Sequence, residues 1–155
     1  MIGPIITGLV FSALVILLSV FRPNTSRIFL GFFIMAMGLG VNLAFVITQP
    51  YFVFEYGMGA WLPLFRNLTE SIIGLNPKLF GVFLVIFEVL IGFSLLAKGI
   101  WVKVGIIGIS LFILMLVPLY YSQIAWAISL IGILYLLKNQ YDQSILDIIK
   151  AKMKK

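Results

Sequence analysis

An all-α, polytopic membrane helix bundle of five spans is the fold class this sequence predicts, and three observations predict it. The 155 residues are 63% hydrophobic and 10% charged, with a mean hydropathy of +1.19, whereas soluble domains run near ~48% and ~25%. Apolar runs of about twenty residues recur, each long enough at about 1.5 Å per residue to cross the ~30 Å hydrocarbon core. The positive residues are also asymmetric. With five spans and the N-terminus outside, nine cations fall inside, Arg22, Arg27, Lys98, Lys103, Lys138, Lys150, Lys152, Lys154 and Lys155, against Arg66 and Lys78 outside. That distribution satisfies the positive-inside rule and places the C-terminus in.

The composition also excludes functions. There is no Cys and no His, so disulfides, thiolate metal sites, Cys-ligated clusters and ordinary haem ligation are absent from this chain, and no metal-ligand spacing occurs. The net charge of +6 sits at helix ends and on the tail, where anionic lipid is the expected partner rather than nucleic acid.

Residues 1–155 read as one membrane domain. The first span covers about 2–21; it lacks the positive n-region of a cleaved signal and is expected to be retained. Arg22-Pro-Asn-Thr-Ser-Arg27 reads as a short loop. The second span covers about 28–49. At about 100° per residue its Gly31, Met35, Gly38 and Asn42 share one stripe. Small residues allow a close neighbour, and an amide in lipid seeks an interhelical hydrogen bond.

Residues 50–77 are too polar to cross and carry Tyr51, Phe52, Phe54, Tyr56, Trp61 and Phe65, which suit the interface. Pro63 opens a short amphipathic helix over 63–73, marked by Leu64, Leu68 and Ile72. Arg66 and Glu70 stand at i and i+4, which allows a surface pair; the alternative points Arg66 down toward Glu88.

The third span, about 79–98, holds Glu88 at the middle of its apolar run. A charged side chain there costs roughly 3 kcal/mol, while some fifteen apolar neighbours at ~0.4 each return roughly 6, so the helix still inserts. Such a carboxylate is a functional-site hypothesis that needs a partner. Gly81, Glu88 and Gly92 share a face, and this stripe is expected to meet that of the second span. Asn42 as partner favours a protonated Glu88, because a neutral amide cannot balance a charge; Arg66 as partner leaves it ionised. A Glu hydrogen-bonded for helix packing alone is the simpler alternative.

Lys98-Gly-Ile-Trp-Val-Lys103 closes this span. An apolar run too long for one crossing then divides at Pro118-Leu-Tyr-Tyr-Ser-Gln123 into spans of about 102–119 and 122–138. The tail, 142–155, has Ser144 and Asp147 at capping-box spacing. Its apolar Ile145, Ile148, Ile149 and Met153 oppose lipid-contacting Lys150, Lys152, Lys154 and Lys155, the pattern of an interfacial helix on an anionic inner leaflet.

The order Arg27-Ile-Phe-Leu-Gly31, Gly38-Leu-Gly-Val-Asn42, then Phe87-Glu88-Val-Leu-Ile-Gly92-Phe-Ser-Leu-Leu, a positive turn and two further apolar helices resembles the DoxX-like membrane family. The resemblance covers about residues 27–138. It implies a four-helix unit, here with Met1–Phe21 as an added N-terminal helix, and an acidic residue early in an E-x-x-x-G helix. It also implies a link to quinone-coupled oxidoreductase assemblies or to assembly chaperones. Many members carry a Lys near the end of the first unit helix, where this chain has Asn42.

Three functions follow as expectations. In the first, a pocket between the second and third spans holds a quinone- or lipid-like molecule with Glu88 and Asn42 as polar groups, under an outer lid that brings Arg66, Trp61 and Tyr56. Nothing is bound covalently, a quinone is the implied cofactor, and redox work requires a partner protein. In the second, the chain is a scaffold whose Gly31, Gly38, Gly81 and Gly92 faces hold another membrane subunit or a second copy. The third, a proton-coupled transporter, lacks a repeat and a second buried acid. The expected location is a prokaryotic plasma membrane, and no catalytic residue can be assigned.

Overall fold

The computed structural model describes residues 2–153, the side chain of Lys152 excepted, and the described residues are helical with no strand. Lys154, Lys155 and the Lys152 side chain, three of the four expected lipid contacts on the tail, lie outside that description.

Three helices are long and apolar enough to cross a membrane: α1 (Gly3–Phe21), α2 (Pro23–Thr48) and, further on, α5 (Pro77–Leu96). Between α2 and α5 lie the short helices α3 (Phe52–Met58) and α4 (Pro63–Ser71), the latter followed by a 3₁₀ turn at Ile73–Leu75. Two shorter apolar helices follow, α6 (Ile100–Leu116) and α7 (Gln123–Lys138), and then the tail helix α8 (Ile145–Met153).

The boundaries differ from the sequence reading where proline starts a helix. Residues 22–27 are not a loop: Pro23 occupies the first helical turn of α2, whose N–H groups have no intrahelical acceptor, so the ring costs nothing there. Pro77 likewise opens α5, two residues before the expected start of the third span, with the Asn76 side chain accepting from Leu79 N at 3.1 Å. The tail helix starts at Ile145 rather than at 142, because residues 139–144 are not helical and are held to the bundle through Gln143 O and the Tyr141 hydroxyl. Ser144 and Asp147 do form a reciprocal cap: Ser144 N and Oγ donate to Asp147 Oδ2 at 3.0 and 2.9 Å, and Asp147 N donates to Ser144 Oγ at 3.3 Å.

The long helices close a ring, α1 on α2, α2 on α5, α5 on α6, α6 on α7 and α7 back on α1. The N-terminal helix is thus a wall of the bundle rather than an appendage. Ser12 Oγ donates to Ala125 O of α7 at 2.7 Å, and the Ser19 and Ser26 hydroxyls pair at 2.9 Å between α1 and α2. At Gly132 a Cβ would meet the Ile16 Cα at 2.7 Å, so only glycine permits that approach of α7 to α1. Inside the ring Phe11, Val15, Leu30, Ile34, Ile91, Leu95, Ile106, Ile109 and Ile133 form one apolar core.

The two ends of the ring differ. One carries Arg22, Lys98, Lys138 and the tail; the other carries α3, α4 and the α6–α7 turn. Trp61 fastens the second end, donating from its backbone N to Pro118 O at 3.1 Å and from Nε1 to Val117 O at 3.0 Å while stacking on Tyr121.

Candidate functional site

The buried polar pair begins with the seam between α2 and α5. Gly31 and Gly92 bring the two backbones together: a Cβ on Gly31 would meet Gly92 O at 3.1 Å, and one on Gly92 would meet Gly31 O at 2.9 Å. Along the same seam Gly81 lies against Val46, and Gly38 lies against Glu88. The glycine stripes expected from helical periodicity face each other, antiparallel.

Glu88 projects from α5 into this seam and is fully buried. Gly38 makes the room, since a Cβ there would stand 3.0 Å from Glu88 Cβ and 3.1 Å from its Oε2. Across the seam Asn42 Nδ2 donates to Oε1 at 2.8 Å and to Oε2 at 2.7 Å. Asn42 is half-buried and ends a π-helical stretch, Met37–Asn42, inside α2. A π turn widens the helix, is rare, and concentrates at functional sites. Helical periodicity at about 100° per residue placed Asn42 on this face but assumes a regular α-helix and so could not show the π turn.

The other expected site residues are elsewhere. Arg66 is exposed on α4; among the described residues it forms neither the ion pair with Glu70 nor a bond to Glu88, and the single ion pair is Lys98 to Asp147 at 3.7 Å. It stays exposed even though Thr69, one turn further along the same helix, is buried. Trp61 is committed to the α6–α7 turn, and the Tyr56 ring sits edge-on to Tyr120 of that turn. Two cavities are lined by residues other than Glu88 and Asn42. One of about 200 Å³ is lined by Gln49, Pro50, Tyr51, Phe52 and Glu55. The other, of about 280 Å³, is lined by Phe93, Ser94, Ala97 and Trp101.

A second buried charge was not recognised in the sequence. Arg27, read there as an inner-side cation, is fully buried. Nη1 donates to Leu95 O at 2.9 Å and Ala97 O at 2.8 Å, Nη2 donates to Gln143 O, Nε donates to Asn24 Oδ1 at 3.0 Å, and the guanidinium lies 5.1 Å from the Tyr141 ring centre. It therefore caps the last turn of α5 and pins the extended segment that leads to α8. Gly99, at φ +63°, donates its N–H to Tyr141 O at 2.7 Å, a turn only glycine takes without strain. Burial pushes the Tyr141 phenol above its ordinary value. A signal existed: at about 100° per residue Arg27 falls on the stripe of Gly31 and Gly38.

Comparison of the chain with protein-family models, curated proteins and solved structures finds no match.

Proposed function

We propose that this chain is a five-span subunit of a prokaryotic plasma membrane, N-terminus out and C-terminus in, that binds a quinone- or lipid-like molecule at Glu88 and Asn42. The observation that carries the reading is a fully buried carboxylate held from the neighbouring helix by one amide at a π turn. Magnitudes decide against packing as its purpose. A membrane-embedded carboxylate costs roughly 3 kcal/mol on insertion scales, whereas an interhelical hydrogen bond in lipid returns about 0.6 and at most about 1.7. A leucine at 88 would serve the fold with no such deficit.

The donor set suits such a ligand. The Asn42 N–H can donate to a carbonyl, and the Glu88 oxygens can accept from a hydroxyl, so a quinone and its quinol are both complementary to the pair. Room for it comes from displacement of the half-exposed Asn42 side chain at the π turn. A bound quinone would supply two-electron redox chemistry to an oxidoreductase assembly, with electrons from a partner protein, while this chain contributes binding and orientation.

The five crossings are supported by ring closure. At about 25 Å each, α6 and α7 fall short of the ~30 Å core, yet α6 packs along α5 and α7 along α1, each of which is long enough to span. DoxX-like membership belongs to the same proposal and rests on the order of the Gly31, Gly38 to Asn42 and Glu88 to Gly92 motifs.

A scaffold role is the second reading, favoured by the close packing of the α2–α5 seam around the fully buried Glu88. Its docking face would have to be other than the four glycines, which the α2–α5 seam consumes. Identifying the small molecules and proteins that co-purify in mild detergent separates the two. A quinone- or lipid-like molecule lost in Glu88→Leu supports the first reading; a protein partner retained in that variant, with no small molecule in either form, supports the second.

A further inference from the structure

We infer that the groove lined by Phe93, Ser94, Ala97 and Trp101, at the turn between α5 and α6, binds the headgroup and upper chains of an anionic phospholipid. The site is independent of Glu88 and rests only on the chain being embedded in a bilayer.

The groove has a volume of about 280 Å³ and lies on the outside of the ring. Its walls continue toward the middle of both helices as exposed apolar surface, Leu90 and Phe93 on α5, Ile100, Trp101 and Val104 on α6. An acyl chain can follow that track from the interface inward, and Trp101 is of the type that settles at headgroup level.

The polar end of the track is cationic. Lys98 follows Ala97 directly, and its side chain is 64% exposed. Its only ion-pair partner among the described residues, Asp147, stands at a loose 3.7 Å and is already satisfied by Ser144 N and Oγ. A contact of that length, made by an ammonium that is mostly exposed, leaves N–H donors of Lys98 directed outward to an additional anion. Lys103 is one turn further along α6, and Lys150 is on the adjoining tail helix. On α8, Leu146, Ile149 and Met153 are exposed apolar residues that the protein itself does not cover, which sets the tail in the same interfacial plane. An apolar track ending under lysines matches a phospholipid with net negative charge and not a soluble anion.

The rigid frame supports a built groove. Ala97, at its rim, is held by Arg27 through its carbonyl, and Gly99 is held by Tyr141, so the turn that shapes the groove is fixed from inside the bundle.

The experiment uses the full chain with Trp61→Phe and Trp126→Phe, so that Trp101 alone reports, in vesicles containing brominated phosphatidylglycerol or brominated phosphatidylcholine. The expected result is preferential quenching by the glycerol lipid, with relative binding about five-fold in its favour, the factor one lysine near an anionic surface supplies. Lys98→Gln reduces that preference and Lys98→Arg keeps it. Inorganic phosphate added at constant ionic strength leaves it unchanged. Equal quenching by the two lipids, insensitivity to Lys98→Gln, or loss of the preference to phosphate would each overturn the assignment. Native mass spectrometry of the unsubstituted chain from vesicles with equal parts of both lipids gives a readout that does not depend on the tryptophan replacements. Retention of phosphatidylglycerol over phosphatidylcholine, diminished in Lys98→Gln, is expected there; equal retention contradicts the site.

Discussion

Arg27 and Glu88 are both fully buried ionisable residues on the same pair of packed helices, yet they stand in opposite relation to the fold. Arg27 answers a need that the backbone creates. The last carbonyls of α5 and that of Gln143 have no helical donor, and one guanidinium supplies bonds to all three, with Asn24 and the Tyr141 ring completing its surroundings. Its positive charge also lies at the negative end of the α5 dipole. Glu88 answers no such need. It sits in mid-helix, where the backbone is engaged in the helix itself, and brings a carboxyl group that a single amide must satisfy. A buried ionisable residue is therefore architectural when its partners are orphaned backbone groups, and points to function when its only partner is another side chain placed there to meet it.

The largest expected effect comes from removing the architectural charge. Arg27→Met strands the carbonyls of Leu95, Ala97 and Gln143, and at about 1–3 kcal/mol for each unsatisfied acceptor the loss should reach at least about 3 kcal/mol. Thermal unfolding in detergent measures it; a change below about 1 kcal/mol would erase the distinction between the two sites. Arg27→Lys should recover only part of the loss, since an ammonium lacks the planar fork that reaches several carbonyls at once. Next in size is Gly92→Ala. Met35 can move aside from the new Cβ, but Gly31 O at 2.9 Å is backbone and cannot, so a cost of about 1–3 kcal/mol is expected from overpacking. Parting the seam also weakens the Asn42 to Glu88 bond, so the unfolding midpoint and ligand retention should fall together.

The all-helical fold and its three long apolar helices were legible in residue type and period. Apolar length marked the long helices, and spacing marked both glycine stripes and brought Asn42 to Glu88, because regular helices obey simple angular arithmetic. Three things escaped it for physical reasons. Pro23 was read as part of a loop although proline is equally at home in the first turn of a helix. The π turn at Met37–Asn42 leaves no compositional trace. Arg27 looked like any cation near a helix end, because its partners are backbone carbonyls, which no side-chain pattern reveals. The expected roles of Arg66, Tyr56 and Trp61 at the site assumed that the outer segment folds over the α2–α5 seam, whereas Trp61 and Tyr56 attach it to the α6–α7 turn.

A smaller effect concerns the tail. Ser144 donors hold the Asp147 carboxyl below its ordinary value of 3.8, so the native cap binds fewer protons than the unfolded chain. Its contribution is present above that value and is lost as the pH falls through the lower native one. Amide exchange at the first turn of α8 should be flat from neutral pH down to the carboxylate range and rise below it, after correction for intrinsic rates. A rise centred near neutral pH would assign tail docking to some other group.

The smallest expected effect on stability is the most informative. Glu88→Leu keeps the side-chain volume beside Gly38 and removes the buried carboxylate, leaving only the half-exposed Asn42 amide without its partner. Its unfolding free energy in a lipid nanodisc should lie within about 1 kcal/mol of the wild type or above it, because the hydrogen bond returns less than the carboxylate costs. A loss comparable to that of Arg27→Met would contradict the account and make Glu88 a second structural staple.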